Sequence, residues 1–302
     1  MKTLCNALKG ATSVCTACLL FVAVICSCGN DDDVPPAVEE GGVEDSSVEV
    51  VLDSAEFCCK RDGLNIYGLM YSRVSPGEKA SAVILSHSSS LTHAAMRDYA
   101  RQIADRGMVA YCFDFCGGSS DSKSDGSTDD MTVFTEVDDL KAVLAAVRAL
   151  DSVDADSVYL LGSSQGGLVS ALVAEECASD VCGLILFYPA FNIPDLISKY
   201  GNMMGQMGDN EFISSLRGYD VWSHIGSYGK PVTIIHGSAD MIVPVSYSEK
   251  AAELYPDARL YIIDGANHGF NAANLGSMGS MMGGGVNYDA EVMPIVYSAL
   301  HR

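Results

Sequence analysis

The feature that most constrains the fold is a regular alternation, after residue 54, of short apolar segments with longer segments of helical periodicity. The apolar segments predict strands at 55–60, 64–74, 80–85, 108–113, 157–161, 183–188, 231–236 and 258–263. Apolar stripes at helical spacing predict helices at 94–106, 132–150, 166–177, 246–255 and 288–300. This alternation indicates an α/β fold with a mostly parallel central sheet flanked by helices, in which functional loops follow the carboxyl ends of the strands.

Composition supports a large folded core and excludes one class of partner. Of the 302 residues, 48% are hydrophobic and 19% are charged, so the chain can bury a sizeable core. Acidic residues outnumber basic residues by 39 to 18, and the formal charge is -21. Because this charge repels a polyanion, we expect no nucleic-acid partner.

The first residues have the pattern of an export signal. Lys2 and Lys9 precede an apolar run at 17–26 that is too short to span a bilayer. The run ends in Ile25-Cys26-Ser27-Cys28, which resembles the lipobox of bacterial lipoproteins. The resemblance implies cleavage before Cys28 and lipidation of that cysteine. An ordinary cleaved signal peptide is the alternative.

An acidic tether is predicted to follow the signal peptide. Residues 28–53 are rich in acidic and small residues and offer little apolar surface to bury. An acidic run after a lipidated cysteine looks like the surface-export signal of some Gram-negative lipoproteins. We therefore expect a signal peptide at 1–27, a flexible tether at 28–53 and a folded domain at 54–302. The expected location is the cell envelope, with a surface-exposed domain that contacts the outer membrane only through its lipid.

The strongest chemical signal is the segment Gly162-Ser163-Ser164-Gln165-Gly166, which matches G-x-S-x-G with Ser164 at its centre. A register centred on Ser163 fails because Leu161 and Gln165 are not glycines. An apolar strand enters the motif and an apolar-striped helix leaves it, as the motif requires. A sharp turn there presents the serine, and the helix start directs backbone N–H groups toward it.

A nucleophilic serine needs a base and a group that orients the base. His268 lies in a glycine-flanked loop after the last predicted strand, and Asp240 follows the preceding strand. Taken singly, His268 also fits a solvated loop residue, and Asp240 also fits a turn or helix cap. Their positions at successive strand ends, in the chain order serine, aspartate, histidine, predict a catalytic triad.

Six segments carry a family resemblance: 84–89, 113–118, 131–133, 162–167, 236–240 and 265–270. Through them the chain resembles the α/β-hydrolase family over 55–302 and, within that family, the small bacterial feruloyl and cinnamoyl esterases. The resemblance implies an α/β-hydrolase catalytic domain in which Ser164 is the nucleophile, His268 the general base and then acid, and Asp240 its orienting carboxylate. It also implies an oxyanion hole formed by the backbone N–H groups of Ser89 and Gln165.

One position departs from the family pattern. Esterases of this kind usually carry His-Gly in the loop after the third strand, whereas here His87 is followed by Ser88. We expect the Ser88 side chain to shift the backbone N–H of the oxyanion hole or to narrow the part of the site that holds the acyl group. Loss of one oxyanion donor costs about 3 kcal/mol of transition-state stabilisation, so a shifted donor would lower activity. His87 and His236 are expected to support loops by hydrogen bonding rather than to act as second bases.

Two segments rich in methionine are predicted to determine substrate choice. The stretch between strands at about 190–226 is too long for a simple connection and predicts a small cap. Within it, Met204, Met207 and Trp222 are the predicted substrate-binding residues. A Gly- and Met-rich segment at 276–285 follows His268. Both segments fit the flanks of an aromatic or acyl pocket, and both also fit a cap core followed by a disordered loop.

Six cysteines follow Cys28 in the sequence. Cys177 and Cys182 are the pair to test for a disulfide, although buried free thiols account better for cysteines in a domain of this size. No spacing of cysteine or histidine matches a zinc site, and methionine ligation of copper lacks paired histidine or cysteine.

These observations predict an enzyme, a serine hydrolase that cleaves carboxylic esters through an acyl-enzyme and needs no metal or organic cofactor. The expected substrates are small-molecule or oligosaccharide esters with acetyl or aromatic, feruloyl-type acyl groups, as in plant or dietary material. One alternative is an acylaminopeptidase-like serine peptidase. The other is a catalytically silent hydrolase-fold lipoprotein that only binds.

Overall fold

The computed structural model describes residues 54–205, 211–271 and 286–302, without the side chains of 201–205. The predictions for the signal peptide, the tether, Cys28, Met207 and the segment 276–285 lie outside the described residues. Met204 is described only as part of a helix backbone. No helix within the described ranges has the length and apolar character needed to cross a membrane.

The centre of the domain is an eight-stranded sheet in the order β1-β2-β4-β3-β5-β6-β7-β8. β1 pairs antiparallel with β2, β2 pairs antiparallel with β4, and the remaining neighbours are parallel. The predicted mostly parallel sheet is therefore confirmed. The strands are β1 Ser54–Arg61, β2 Leu64–Tyr71, β3 Ala80–Ser86, β4 Val109–Phe113, β5 Val153–Ser163, β6 Gly183–Phe187, β7 Val232–Gly237 and β8 Ala258–Ile263.

Helices follow the parallel strands. They are α1 Arg97–Ala104, α2 Val133–Arg148, α3 Gln165–Glu176, α4 Ile193–Gly205, α5 Glu211–Leu216, α6 Ser246–Leu254 and α7 Asp289–Ala299. Every residue of β4, β6 and β7 is buried, as expected for strands that are covered on both faces. α4, α5 and a 3₁₀ turn at Val221–Ser223 lie between β6 and β7, where the cap was predicted.

The predicted helix at 94–106 is wrong at its start. The structure has a separate 3₁₀ turn at His93–Ala95 before α1. Asp114 explains the tighter turn, because its Oδ1 accepts hydrogen bonds from both the backbone N–H and the ring Nδ1 of His93. The N–H of Met96 then bonds back to the carbonyl of His93, three residues earlier, as in a 3₁₀ helix.

All six cysteines of the described residues are free, so the candidate disulfide between Cys177 and Cys182 is not formed. Cys177 lies at the end of α3, whereas the N–H of Cys182 donates to the carbonyl of Val158 in β5. Burial raises the pKa of both thiols. In the same ranges, no group of three His, Cys, Asp or Glu side chains is placed to hold a metal ion.

Candidate active site

Ser164 occupies a strained turn between β5 and α3. Its backbone has φ 53° and ψ -118°, and residues other than glycine rarely adopt a positive φ. The flanking glycines make the turn possible by close approach. A Cβ at Gly162 would collide with the carbonyl of Gly166, and a Cβ at Gly166 would collide with the carbonyl of His87. The two glycines of the motif are thus required by packing.

The structure brings Ser164, His268 and Asp240 into one hydrogen-bonded chain. His268 Nε2 lies 2.9 Å from Ser164 Oγ, and His268 Nδ1 lies 2.7 Å from Asp240 Oδ2. Because a carboxylate can only accept, Nδ1 carries the hydrogen and Nε2 is left to accept from the serine hydroxyl. The Ser163 hydroxyl faces Ser88 instead. The geometry therefore selects Ser164, the centre of the sequence motif, as the serine that contacts the imidazole.

Asp240 is fixed by donors on both of its oxygens. Oδ1 accepts from the backbone N–H groups of Ile242 and Val243 at 2.8 and 2.9 Å. Oδ2 faces His268 and also His236, whose Nε2 is 3.2 Å away. Burial by itself would raise the pKa of this carboxyl, but the hydrogen bonds from His236 and His268 outweigh it and hold the pKa well below its usual range. Asp240 therefore stays ionised and keeps His268 oriented.

Gln165 is the first residue of α3 and follows the nucleophile candidate. Its side chain turns into the interior, where Nε2 donates to Glu136 Oε2 at 2.8 Å. Burial, aided by the charge of Asp139 and opposed by the Gln165 hydrogen bond, raises the pKa of Glu136 to about 8. The Gln165 side chain thus has its partner in the interior, and the Gln165 backbone N–H lies at the start of α3.

The loop that carries Ser89 is held from two sides. On one side His87 Nε2 accepts from the N–H of Phe115 at 3.2 Å, while its Nδ1 donates to the carbonyl of Ser88 at 2.8 Å. Burial lowers the pKa of His87, which is consistent with an uncharged ring. On the other side the Ser88 hydroxyl lies 2.9 Å from the Ser163 hydroxyl. His87 supports the loop, as predicted from the sequence. Ser88 links the same loop to the turn that carries Ser164.

Tyr188 is a site residue that sequence reasoning missed. It follows β6 with a φ of 36°, and its ring centroid lies 4.6 Å from that of His268. Phe270 packs against the same tyrosine at 5.0 Å. Burial raises the pKa of the phenol, so Tyr188 is an uncharged wall beside the imidazole. No local sequence pattern predicts this role, because Tyr188 and His268 are eighty positions apart in the chain.

Trp222 has partners within the domain. Its ring stacks on Tyr247 of α6 at 5.9 Å and lies 5.8 Å from Phe191, and the Lys250 ammonium sits 4.0 Å from the ring centroid. Asn192, at the start of the same connection, donates to the carbonyl of Ile242 beside Asp240. These contacts attach the cap to α6 and to the aspartate loop, which comprises residues 238–245 between β7 and α6. The predicted substrate contact of Trp222 stays a prediction.

A family model described as serine aminopeptidase, S33, matches residues 77–216. The solved structure of Est1E from Butyrivibrio proteoclasticus with bound ferulic acid superposes with a TM-score of 0.65 and 20% identity, covering 82% of this chain and 100% of that one. The fold is the α/β-hydrolase fold.

A second solved structure and one sequence relative are similar over most of the domain. The esterase Pf2001 of Pyrococcus furiosus has a TM-score of 0.59 and 18% identity, covering 88% of this chain and 100% of that one. The uncharacterized protein YfhR of Escherichia coli O157:H7 is 25% identical over 221 residues, which is 72% of this chain and 73% of the relative. The matched family together with the Ser164–His268–Asp240 arrangement indicates a hydrolase of the serine type.

Proposed function

We propose that the chain is a serine hydrolase that cleaves carboxylic esters through an acyl-enzyme. The observation that carries the proposal is the continuous hydrogen-bonded chain from Ser164 through His268 to Asp240 at a strained strand-to-helix turn. That arrangement supplies a nucleophile, a base and a group that orients the base. The similarity to Est1E and to the Pyrococcus esterase supports ester cleavage at the level of the fold.

The chemistry proceeds in two halves. Ser164 Oγ attacks the ester carbonyl carbon while His268 Nε2 takes the hydroxyl proton, and the imidazolium is stabilised by Asp240. The bond to the alcohol then breaks, and His268 returns the proton to the departing oxygen. Water next attacks the acyl-enzyme with His268 as base, which releases the carboxylic acid and restores the Ser164 hydroxyl.

The negative oxygen of each tetrahedral intermediate needs fixed donors. We assign this task to the backbone N–H groups of Gln165 and Ser89. Gln165 begins α3, so its N–H points out of a helix start. Ser89 lies in the loop that His87 and Ser88 attach to the neighbouring segments.

The substrate class follows from the cap and from the structural relatives. Est1E was solved with ferulic acid bound, so aromatic acyl esters are the first class to test, with acetyl esters as the small alternative. We assign acyl selection to the cap, which connects β6 to β7 and whose sequence includes Met204, Met207 and Trp222. A panel of acetyl, butyryl and feruloyl esters gives the test. The proposal expects turnover of at least one member by the wild type and none by Ser164→Ala.

A serine peptidase is the second candidate, and the matched family description favours it. Amide bonds have a poorer leaving group, so an esterase and a peptidase separate on matched substrates. Comparing kcat/KM for an aryl ester and for aminoacyl and N-acylaminoacyl anilides of the same acyl group decides between them. A preference for the anilides would replace the esterase proposal. Failure of fluorophosphonate labelling together with no turnover would favour the silent binding protein.

We further propose that Cys28 is lipidated and tethers the domain to the outer membrane, through a segment that lies outside the described residues. The support is the sequence Ile25-Cys26-Ser27-Cys28 and the acidic stretch after it. Metabolic labelling with a palmitate analogue is expected to mark the wild type and not Cys28→Ala. Equal labelling of both proteins would overturn the lipidation proposal and would leave the esterase proposal unaffected.

A further inference from the structure

His236 is a buried histidine that the mechanism above does not use. It lies near the end of β7, one residue before Gly237, and none of its surface is exposed. Its Nε2 is 2.9 Å from the carbonyl oxygen of Val243 and 3.2 Å from Asp240 Oδ2. Its Nδ1 is 2.7 Å from the hydroxyl of Ser248 in α6.

These partners determine what Nε2 does. A carbonyl oxygen and a carboxylate can only accept hydrogen bonds, so Nε2 carries a hydrogen. It donates this hydrogen to the Val243 carbonyl, and Asp240 Oδ2 lies 3.2 Å from the same nitrogen. The Ser248 hydroxyl satisfies Nδ1, and it fixes the rotation of the ring from the opposite side. The ring is therefore held by three elements: β7, the aspartate loop and α6.

His236 and His268 converge on the same oxygen of Asp240. Oδ1 is occupied by the backbone N–H groups of Ile242 and Val243, so Oδ2 has to serve both imidazoles. The Tyr188 phenol, directly after β6, also interacts electrostatically with this carboxylate. A second N–H group near Oδ2 opposes rotation of the carboxylate away from His268.

We propose that His236 is a positioning residue for the hydrolysis reaction, which holds Asp240 Oδ2 toward His268. The inference rests on the proposed function, because it assigns a second histidine to the same triad. His236 touches neither Ser164 nor a substrate in this role. It acts through Asp240, and its loss leaves the carboxylate with one restraint fewer and a buried Val243 carbonyl without its donor.

The test compares two substitutions at the same site. Gln places an amide nitrogen near the position of Nε2 and keeps a donor for Asp240, whereas Phe keeps the ring and removes both nitrogens. We expect His236→Phe to lower kcat about 10- to 100-fold with KM changed less than about twofold, and His236→Gln to recover to within about fivefold of wild type. His301→Phe and His301→Gln, at an exposed site after α7, are the matched controls and should behave as wild type.

A second readout does not need turnover. The Nδ1–H of His268 bonded to Asp240 gives a low-field proton NMR resonance, which is identified by its loss in His268→Gln. We expect this resonance to broaden or vanish in His236→Phe and to persist in His236→Gln. It therefore tests His236 even if the ester panel shows no activity, so failure of the positioning role is distinguishable from failure of the esterase proposal.

An unchanged resonance in His236→Phe, or equal loss of kcat in the Phe and Gln variants, would overturn the proposal in favour of a purely structural role. If His236→Phe does not fold, Ser248→Ala carries the same test, because it frees the ring while retaining Nε2. It is expected to weaken the resonance and lower kcat about threefold. A wild-type resonance and wild-type kcat in folded Ser248→Ala protein would then overturn the proposal.

Discussion

The hydroxyl of Ser88 lies 2.9 Å from the hydroxyl of Ser163, the residue directly before the nucleophile candidate. Ser88 also reaches toward the Ser163 carbonyl, at 3.4 Å. The position where the esterases of the sequence resemblance carry glycine thus holds a side chain that links the loop of Ser89 to the turn of Ser164. A serine at this position is compatible with an ordered loop, because its hydroxyl has a partner.

Removing either hydroxyl should weaken this link. We expect Ser88→Ala and Ser163→Ala each to lower kcat by about twofold, as for loss of one weak neutral hydrogen bond, so that most of the activity remains. The double variant should be about as active as the worse single variant, since both changes remove the same bond. Steady-state kinetics on one aryl ester check this. Fully multiplicative losses would show that the two hydroxyls act separately.

Asp240→Asn tests the orientation of the imidazole. The amide nitrogen of asparagine donates to His268 Nδ1 and stabilises the tautomer whose Nε2 carries the hydrogen, which can no longer take the proton of Ser164. We expect kcat to fall about 10³- to 10⁴-fold with a much smaller change in KM. The circular dichroism spectrum should stay that of the wild type. A loss below about tenfold in the folded variant would show that Asp240 does not orient the base.

Glu136 predicts a pH dependence of stability. Its pKa is raised to about 8 by burial, so between about pH 4.5 and 8 the folded state retains a proton that the unfolded state releases. The free energy of unfolding therefore falls as the pH rises through this window, by an amount on the order of a few kcal/mol. Glu136→Gln keeps an acceptor for Gln165 and removes the titration.

We expect Glu136→Gln to gain stability relative to wild type from pH 5 to pH 8, as measured by urea unfolding at both values. The difference should be small at pH 5, where the Glu136 carboxyl of the folded protein is neutral. An equal difference at the two values would mean that the carboxyl titrates normally in the folded protein. Asp138→Asn, on the exposed face of α2, is the matched control and is expected to show no such pH-dependent gain.

The candidate triad could be predicted from the sequence because its three residues directly follow predicted strands. Ser164 stands in a recognisable turn motif, and Asp240 and His268 follow the next predicted strands in a diagnostic order. Glu136 left a weaker signal. It lies three residues after Val133 and four before Leu140 on an apolar stripe, so a buried carboxylate was readable from helical spacing.

Other site residues could not be predicted because packing alone defines their roles. His236 supports a loop, as predicted, through the carbonyl of Val243, but its contact with Asp240 was not visible in a sequence context that shows only the end of a strand. Tyr188 meets His268 through a backbone with positive φ, which nothing in a strand pattern indicates. The 3₁₀ turn at His93 depends on Asp114 from another strand end.

The Gly- and Met-rich segment at 276–285, outside the described residues, is predicted to select substrate rather than to perform chemistry. It follows His268 and contributes no acid, base or metal ligand to the proposed reaction. Deleting 276–285 should change KM, or the preference between acetyl and bulky aromatic esters, and leave fluorophosphonate labelling of Ser164 nearly intact. Loss of labelling in a folded protein would show that the segment positions His268. Unchanged kinetics on every ester would favour a segment without a role in catalysis.

The central claim is that Ser164, activated by His268, is the nucleophile. Fluorophosphonates react with an activated serine hydroxyl to give a stable covalent adduct, so intact mass and peptide mapping identify the serine that reacts. The measurement compares the labelling rate of the wild type with those of Ser164→Ala and Ser163→Ala. The account predicts one adduct on Ser164 in the wild type, none in Ser164→Ala, and labelling within about fivefold of wild type in Ser163→Ala. Full labelling of Ser164→Ala, or an adduct that maps to Ser163, would contradict it.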